Sequence, residues 1–141
     1  MDVFVQKLAK DVELPCYAKP DDAGLDLRSA EDLILKPNER RLVSTGIAIA
    51  IPSGFVGLIW DRSSVAHAHG VTCLGGVIDA GYRGEIKIVM INLGNADFSI
   101  QKNDRVAQLL IQPIVRGNLK IVETLSDTDR ASGGFGSTGK Q

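Results

Sequence analysis

At 141 residues the chain is long enough for one hydrophobic core and too short for two ordinary domains, so any function must fit on a single compact unit. Against 17 acidic side chains stand 16 basic ones, and the net charge of -1 disfavours a polyanion-binding surface and so nucleic acid as a partner. Cys16 and Cys73 come without a charged-then-apolar leader at Met1, and the longest apolar runs, such as Ile47–Pro52, fall far short of the ~20 residues that cross a bilayer; a cytoplasmic protein with two free thiols and no membrane contact is expected.

Apolar residues recur at every second position or in short β-branched runs along the chain. Val3/Val5, Leu33/Leu35, Ile47/Ile49/Ile51, Phe55–Trp60, Ile86/Ile88/Met90, Val106–Val115 and Leu119–Val122 are predicted as strands. Turn signals separate them at Lys36-Pro37-Asn38, Pro52-Ser53-Gly54, Gly75-Gly76, Leu93-Gly94-Asn95, Lys102-Asn103-Asp104 and Arg116-Gly117-Asn118. Turns about 8–12 residues apart suit a sandwich, barrel or jelly roll. One short helix is predicted at Ser63–His69, with Gly70 to end it. The expected fold is therefore all-β, a single domain over residues 1–125 with that one helix. Residues 126–141 differ: they are rich in Gly, Ser, Asp and Thr and carry Phe135 as their one large apolar residue, so they should form a flexible arm.

Chemistry-bearing residues concentrate in five segments. They are Ala23-Gly24-Leu25-Asp26-Leu27, Arg62-Ser63-Ser64, Gly76 through Glu85 around Ile78-Asp79-Ala80-Gly81-Tyr82-Arg83-Gly84, Asp104-Arg105-Val106-Ala107-Gln108-Leu109, and Arg130 through Gly139. Together they supply what hydrolysis of a nucleoside triphosphate needs: cations and hydrogen-bond donors for phosphate, a carboxylate near a metal, and a carboxylate to take a proton from water. Each alone has a plainer reading. Asp79 would cap a turn, Tyr82 would be a half-buried strand aromatic, Arg105 a structural ion-pair residue, and the arm an inert terminus.

As an ordered set spanning nearly the whole chain, the five segments resemble the motifs of the trimeric deoxyuridine triphosphatase family. That resemblance implies a jelly-roll domain, a homotrimer with active sites shared between subunits, and Mg²⁺-dependent hydrolysis of dUTP to dUMP and pyrophosphate by water attack on the α-phosphate. Such an activity keeps uracil out of DNA and supplies dUMP for thymidylate synthesis. By the same resemblance Asp79 holds the attacking water and the deoxyribose 3′-hydroxyl, and Tyr82 lies beneath the sugar where a 2′-hydroxyl would go. Main-chain groups of a hairpin at about Leu74–Gly84, Gly76 and Ile78 among them, read uracil. Arg62, Ser63, the Ser64 N–H and Gln108 bind phosphate, and Asp26 reaches Mg²⁺ through water. From the arm, Arg130 pairs with the γ-phosphate as a catalytic cation, Phe135 stacks on the base, and Gly136, Ser137 and Thr138 add phosphate contacts.

The chain departs from the family pattern at Asp61, where Pro is common and where a negative charge is expected near the phosphates. It departs also at Cys73, where some members carry an amide, and at Ala131, where Gly is commoner. Three other classes fit these residues less well. A dCTP deaminase shares the Arg-Ser-Ser and Ile-Asp features, but Val89 stands where its general acid/base would be. A zinc deaminase would need a His-x-Glu and a Pro-Cys-x-x-Cys that His67, His69 and Cys73 do not complete. A non-catalytic nucleotide-binding member would have no reason to keep Asp26, Arg62, Ser63, Asp79, Tyr82, Gln108, Arg130 and Phe135 together.

Overall fold

A computed structural model of the chain describes residues 1–133. The expectations placed on Phe135, Gly136, Ser137 and Thr138 lie outside the described residues. The fold is an all-β jelly roll: β1 (Phe4–Lys7), β2 (Leu25–Arg28), β3 (Leu33–Leu35), β4 (Arg40–Ala50), β5 (Phe55–Asp61), α1 (Ser63–His69), β6 (Val71–Leu74), β7 (Val77–Ile78), β8 (Glu85–Asn92), β9 (Phe98–Ile100) and β10 (Arg105–Pro113). One sheet has the order β1-β4-β8-β6, the second β2-β10-β5-β7, and β3 pairs with β9 in a two-stranded ribbon.

The alternation that predicts strands is the alternation that fills the core. In β8, Ile86, Ile88, Met90 and Asn92 point inward and Lys87 points out, as a half-buried strand requires. Leu27, Val43, Ile47, Ile49, Ile100, Ala107 and Leu109 complete an interior of Ile, Leu and Val between the sheets. At Gly46, with φ 67°, the β4–β8 register shifts between Ser44 and Ala48, and the freed Gly46 N–H donates to Glu85 Oε1 at 2.9 Å. The helix ends at Gly70, which takes the left-handed conformation (φ 67°) and donates its N–H to the Ala66 carbonyl.

Two expectations are corrected. The strand expected over Val106–Val115 ends at Pro113, and Leu119–Val122 forms no strand: Leu119 and Ile121 are fully exposed. Strand propensity measures fit to a half-buried sheet surface, and among the described residues no sheet edge takes that segment. The supposed hairpin around Asp79 is also not a simple one. β6 and β8 do pair, Val71 opposite Asn92 through Leu74 opposite Val89, but between them β7 leaves for the other sheet and pairs with β5. Residues 75–84 therefore run from one sheet to the other and back.

Candidate active site

The first, second and fourth segments converge. β10 lies between β2 and β5, so Gln108 faces Asp26 on one side and Trp60 on the other, and β5 delivers Arg62 and Ser63 directly at its end. Ala23, Gly24, Asp26, Arg62, Ser63, Ser64, Arg105 and Gln108 line one cavity of about 240 Å³. Asp26 is nearly buried there, and its charge is met from two sides: Arg62 Nε stands 3.0 Å from Oδ1 and Arg105 Nη1 3.0 Å from Oδ2. Arg62 Nη1 also donates to the Arg105 carbonyl at 3.1 Å. One carboxylate thus fixes two guanidinium groups, and the cluster keeps a net positive charge where an anion would dock. Arg105 makes the ion pair expected of it and lines the cavity as well.

Ser63 and Ser64 open α1. No side chain caps its first turn and no acidic residue stands in it, an arrangement that leaves the helix start open to an anion. Gln108 Nε2 donates to the Asp61 carbonyl at 2.7 Å. Sequence reading gave Gly24 no role. A Cβ built on it would overlap Gln108 Oε1 and stand 3.0 Å from Gln108 Cβ and Cδ, so only glycine lets this amide lie across β2.

Asp79 and Tyr82 belong to a different region of the chain's surface. Asp79 is exposed, lining one cavity with Ser53, Phe55 and Arg116 and another with Leu42, Ile78, Tyr82 and Lys87. Its side chain does not cap the turn; the turn closes through the backbone, Tyr82 N–H to the Asp79 carbonyl at 3.0 Å. The Tyr82 hydroxyl donates to the Glu85 carbonyl at 2.9 Å, and its ring passes so close to Gly84 that a Cβ there would lie 2.7 Å from Cζ. Arg83, unassigned from sequence, braces this turn by donating to the Ala80 and Tyr82 carbonyls at 2.7 Å each. Gly76, with φ 96°, accepts from the Ile59 N–H at 2.8 Å and brings the start of the segment onto β5.

The charge expected from Asp61 near the phosphates is elsewhere. Period two places Asp61 on the same face as Ile59, turned to β6, where its carboxylate accepts from Thr72 Oγ1 and from the Cys73 N–H at 2.6 Å each. Burial, reinforced by that carboxylate, pushes the Cys73 thiol up to about 12. Both cysteines are free. His67 and His69 stand on α1 as expected, His69 against the Phe98 ring at 4.9 Å. Val89 pairs within the sheet opposite Leu42 and Leu74.

Among the described residues no group of three or more His, Cys, Asp or Glu side chains could hold a metal ion. Asp26 and Asp22 are the carboxylates that line this cavity beside Arg62 and Arg105, and both Asp26 oxygens already accept from arginine. A divalent cation there would take most of its ligands from phosphate and water, which suits Mg²⁺, an ion that keeps much of its hydration shell. Arg130 lies in a local turn, its Nε donating to the Gly133 carbonyl at 3.0 Å and the Ala131 N–H to the Thr128 carbonyl at 3.0 Å. Within the chain this turn is exposed and not part of either cavity region.

The dUTPase family model matches residues 10–139. A deoxyuridine 5′-triphosphate nucleotidohydrolase of Clostridium kluyveri is 50% identical over 141 residues, covering 99% of each chain. One of Nautilia profundicola is 47% identical over 99% of this chain and 100% of its own. Among solved structures, the dUTPase of Staphylococcus bacteriophage 80alpha with dUpNHpp superposes with a TM-score of 0.93 at 32% identity, covering 98% of each chain. A point mutant of the dUTPase of phage phi11 of S. aureus, described with a coordinated structural Mg(II) ion, gives a TM-score of 0.83 at 30% identity over 88% of this chain. No helix of the described residues is long and apolar enough to cross a membrane.

Proposed function

The chain belongs to the dUTPase family and hydrolyses dUTP to dUMP and pyrophosphate, and we propose that it does so at sites assembled between three copies of itself, with Mg²⁺. The observation that carries the proposal is the separation within one chain. Arg62, Ser63 and Gln108 line one cavity while Asp79 and Tyr82 line others, so the phosphate residues and the nucleoside residues do not form one pocket alone. Juxtaposing copies about a three-fold axis brings the two halves together. The fully exposed apolar Leu119 and Ile121, beyond the last strand, supply surface that a neighbouring copy can cover.

In that assembly the cavity lined by Arg62 and Arg105 takes the triphosphate. Arg62, the Ser63 hydroxyl, the Ser64 N–H and Gln108 bind phosphate oxygens, and Asp26 orders the two arginines and would hold Mg²⁺ through water. Mg²⁺, when bound, neutralises charge on the phosphate oxygens. From the facing copy, Asp79 accepts the proton of the water that attacks the α-phosphorus and orients the 3′-hydroxyl, while the Tyr82 ring fills the space of a 2′-hydroxyl. Gly76 and Ile78 lie in the segment whose main chain reads uracil. Arg130, with Phe135, Gly136, Ser137 and Thr138 after it, closes over the nucleotide as a lid on a domain that ends near residue 125, excluding water and completing the charge around the reacting phosphate. We place the activity in the cytoplasm, where free thiols such as Cys16 and Cys73 stay reduced.

The test is pyrophosphate release from dUTP, with dCTP, dTTP and UTP beside it, in Mg²⁺ and after chelation, and with particle mass by light scattering. Turnover restricted to dUTP, lost on chelation, from a particle of about 45 kDa is expected. Ammonia release from dCTP would mean a deaminase, and turnover by a monomer would refute the shared site.

A further inference from the structure

We propose that Asp61 is a positioning residue that sets the uracil-reading segment of the site in register with its phosphate-binding residues. The inference rests on the reading given under Proposed function. Asp61 ends β5, on the face that Gly57 and Ile59 turn inward, and it makes three connections at once. Its carboxylate accepts from Thr72 Oγ1 and from the Cys73 N–H, both at 2.6 Å. Its carbonyl accepts from Gln108 Nε2 at 2.7 Å. The next residue, Arg62, reaches back to Asp26 at 3.0 Å.

These bonds join parts of the fold that no sheet joins. β6 is the edge strand of the first sheet and β5 belongs to the second. Among the described residues β6 pairs with β8 alone, so the Cys73 N–H that points at Asp61 faces the open edge and takes a carboxylate oxygen in place of a strand. Immediately after Cys73 and Leu74 come Gly75 and Gly76, both with positive φ (69° and 96°), whose freedom lets the segment swing unless something holds its base. The β6–β8 ladder, tied on its outer edge by the carboxylate, holds one end, and the Ile59 N–H to Gly76 carbonyl bond holds the other. Cys73 stays a neutral thiol beside the carboxylate, its pKa pushed up to about 12 by burial and then by Asp61.

Without the carboxylate, Leu74 keeps its place opposite Val89 and Gly76 its bond to Ile59, but the outer edge of β6 loses its tie to β5, and a uracil-reading segment held less closely tolerates the 5-methyl group of thymine better. A pocket that rejects one methyl group discriminates by roughly 10- to 200-fold, and slack in its wall erodes that factor. In full-length Asp61→Ala the ratio of kcat/KM for dUTP over dTTP is expected to fall about ten-fold, with KM for dUTP rising more than kcat falls. Asp61→Asn keeps Oδ1 for the Cys73 N–H and offers Nδ2–H to the Thr72 oxygen, so it should restore most of the ratio. Thr72→Val removes one of the two donors while leaving the Asp61 side chain, and should shift the ratio in the same direction by less. In a Cys16→Ser background, iodoacetamide at pH 9 should alkylate Cys73 faster in Asp61→Ala than with Asp61 present. A dUTP-to-dTTP ratio unchanged in Asp61→Ala and in Thr72→Val, whatever happens to thermal stability, would overturn the proposal. Failure of the unaltered protein to turn over dUTP would refute the parent reading instead.

Discussion

Gly24→Ala tests the packing of the phosphate pocket where the sequence pattern is silent. The alanine methyl would overlap Gln108 Oε1 and stand 3.0 Å from Gln108 Cβ and Cδ. β10 cannot back away, because β2 and β5 pair with it on either side. The Gln108 side chain must therefore rotate, and its 2.7 Å bond to the Asp61 carbonyl is lost. A hydrogen bond of this kind is worth about 0.5–1.5 kcal/mol net, and residual overpacking adds about 1 kcal/mol, so stability should fall by about 2 kcal/mol. For a domain of this size that lowers Tm by about 4–8 °C. Taking one donor off a phosphate oxygen should lower kcat/KM by about 10- to 100-fold, or about 1.4–2.7 kcal/mol of transition-state stabilisation. Pyrophosphate release and thermal denaturation measure both effects in Gly24→Ala, Gln108→Ala and the double variant. Because the path runs through Gln108, the double variant should be no slower than Gln108→Ala alone. Additive losses, or Gly24→Ala at the full rate, would refute the reasoning.

Asp79→Asn keeps the shape of the side chain but cannot take a proton, so kcat should drop about 10²–10⁴-fold with dUTP still bound; in ¹⁸O water the label should enter dUMP, and label in pyrophosphate would put the attack at another phosphorus. Tyr82→Ala opens the space beneath the sugar, so kcat/KM for UTP should rise relative to dUTP, and an unchanged ratio would remove the tyrosine from sugar selection. Truncation after Leu125 should leave Tm and trimerisation nearly unchanged but cut kcat/KM strongly, because closing the arm over bound nucleotide offsets an ordering cost of about 1–2 kcal/mol per residue. A truncated enzyme at the full rate would make the arm inert.

The strands that alternate over many residues were legible because burial follows the same period: β8 buries every second side chain, and the run at Ile47 to Ile51 fills the core. The helix and its end were legible from one glycine. Of the shorter strands, β1 and β3 showed an apolar pair at spacing two, and the others did not. β2, β6, β7 and β9 have two to four residues each, too few for a period to declare itself, and their pairing is decided by the sheets around them. Leu119–Val122 misled in the opposite sense, since its apolar pattern calls for a partner that the described residues do not supply. Arg62, Ser63 and Gln108, expected to meet at phosphate, do line one cavity. The direction of Asp61 was readable from its alternation with Ile59, but the neighbouring Arg-Ser-Ser drew the reading toward phosphate. The role of Gly24 was hidden because a side chain that must be absent leaves no pattern along the chain.

Subunit complementation tests the shared site most directly. Asp79→Asn and Arg62→Gln chains, each inactive alone, are co-expressed with different tags and the mixed particles purified. If every site takes Asp79 from one copy and Arg62 from another, one site in three of every mixed trimer carries both native residues, and dUTP turnover should return to about a third of the unaltered rate. Mixed trimers no more active than the two variants kept apart would contradict a site built between copies.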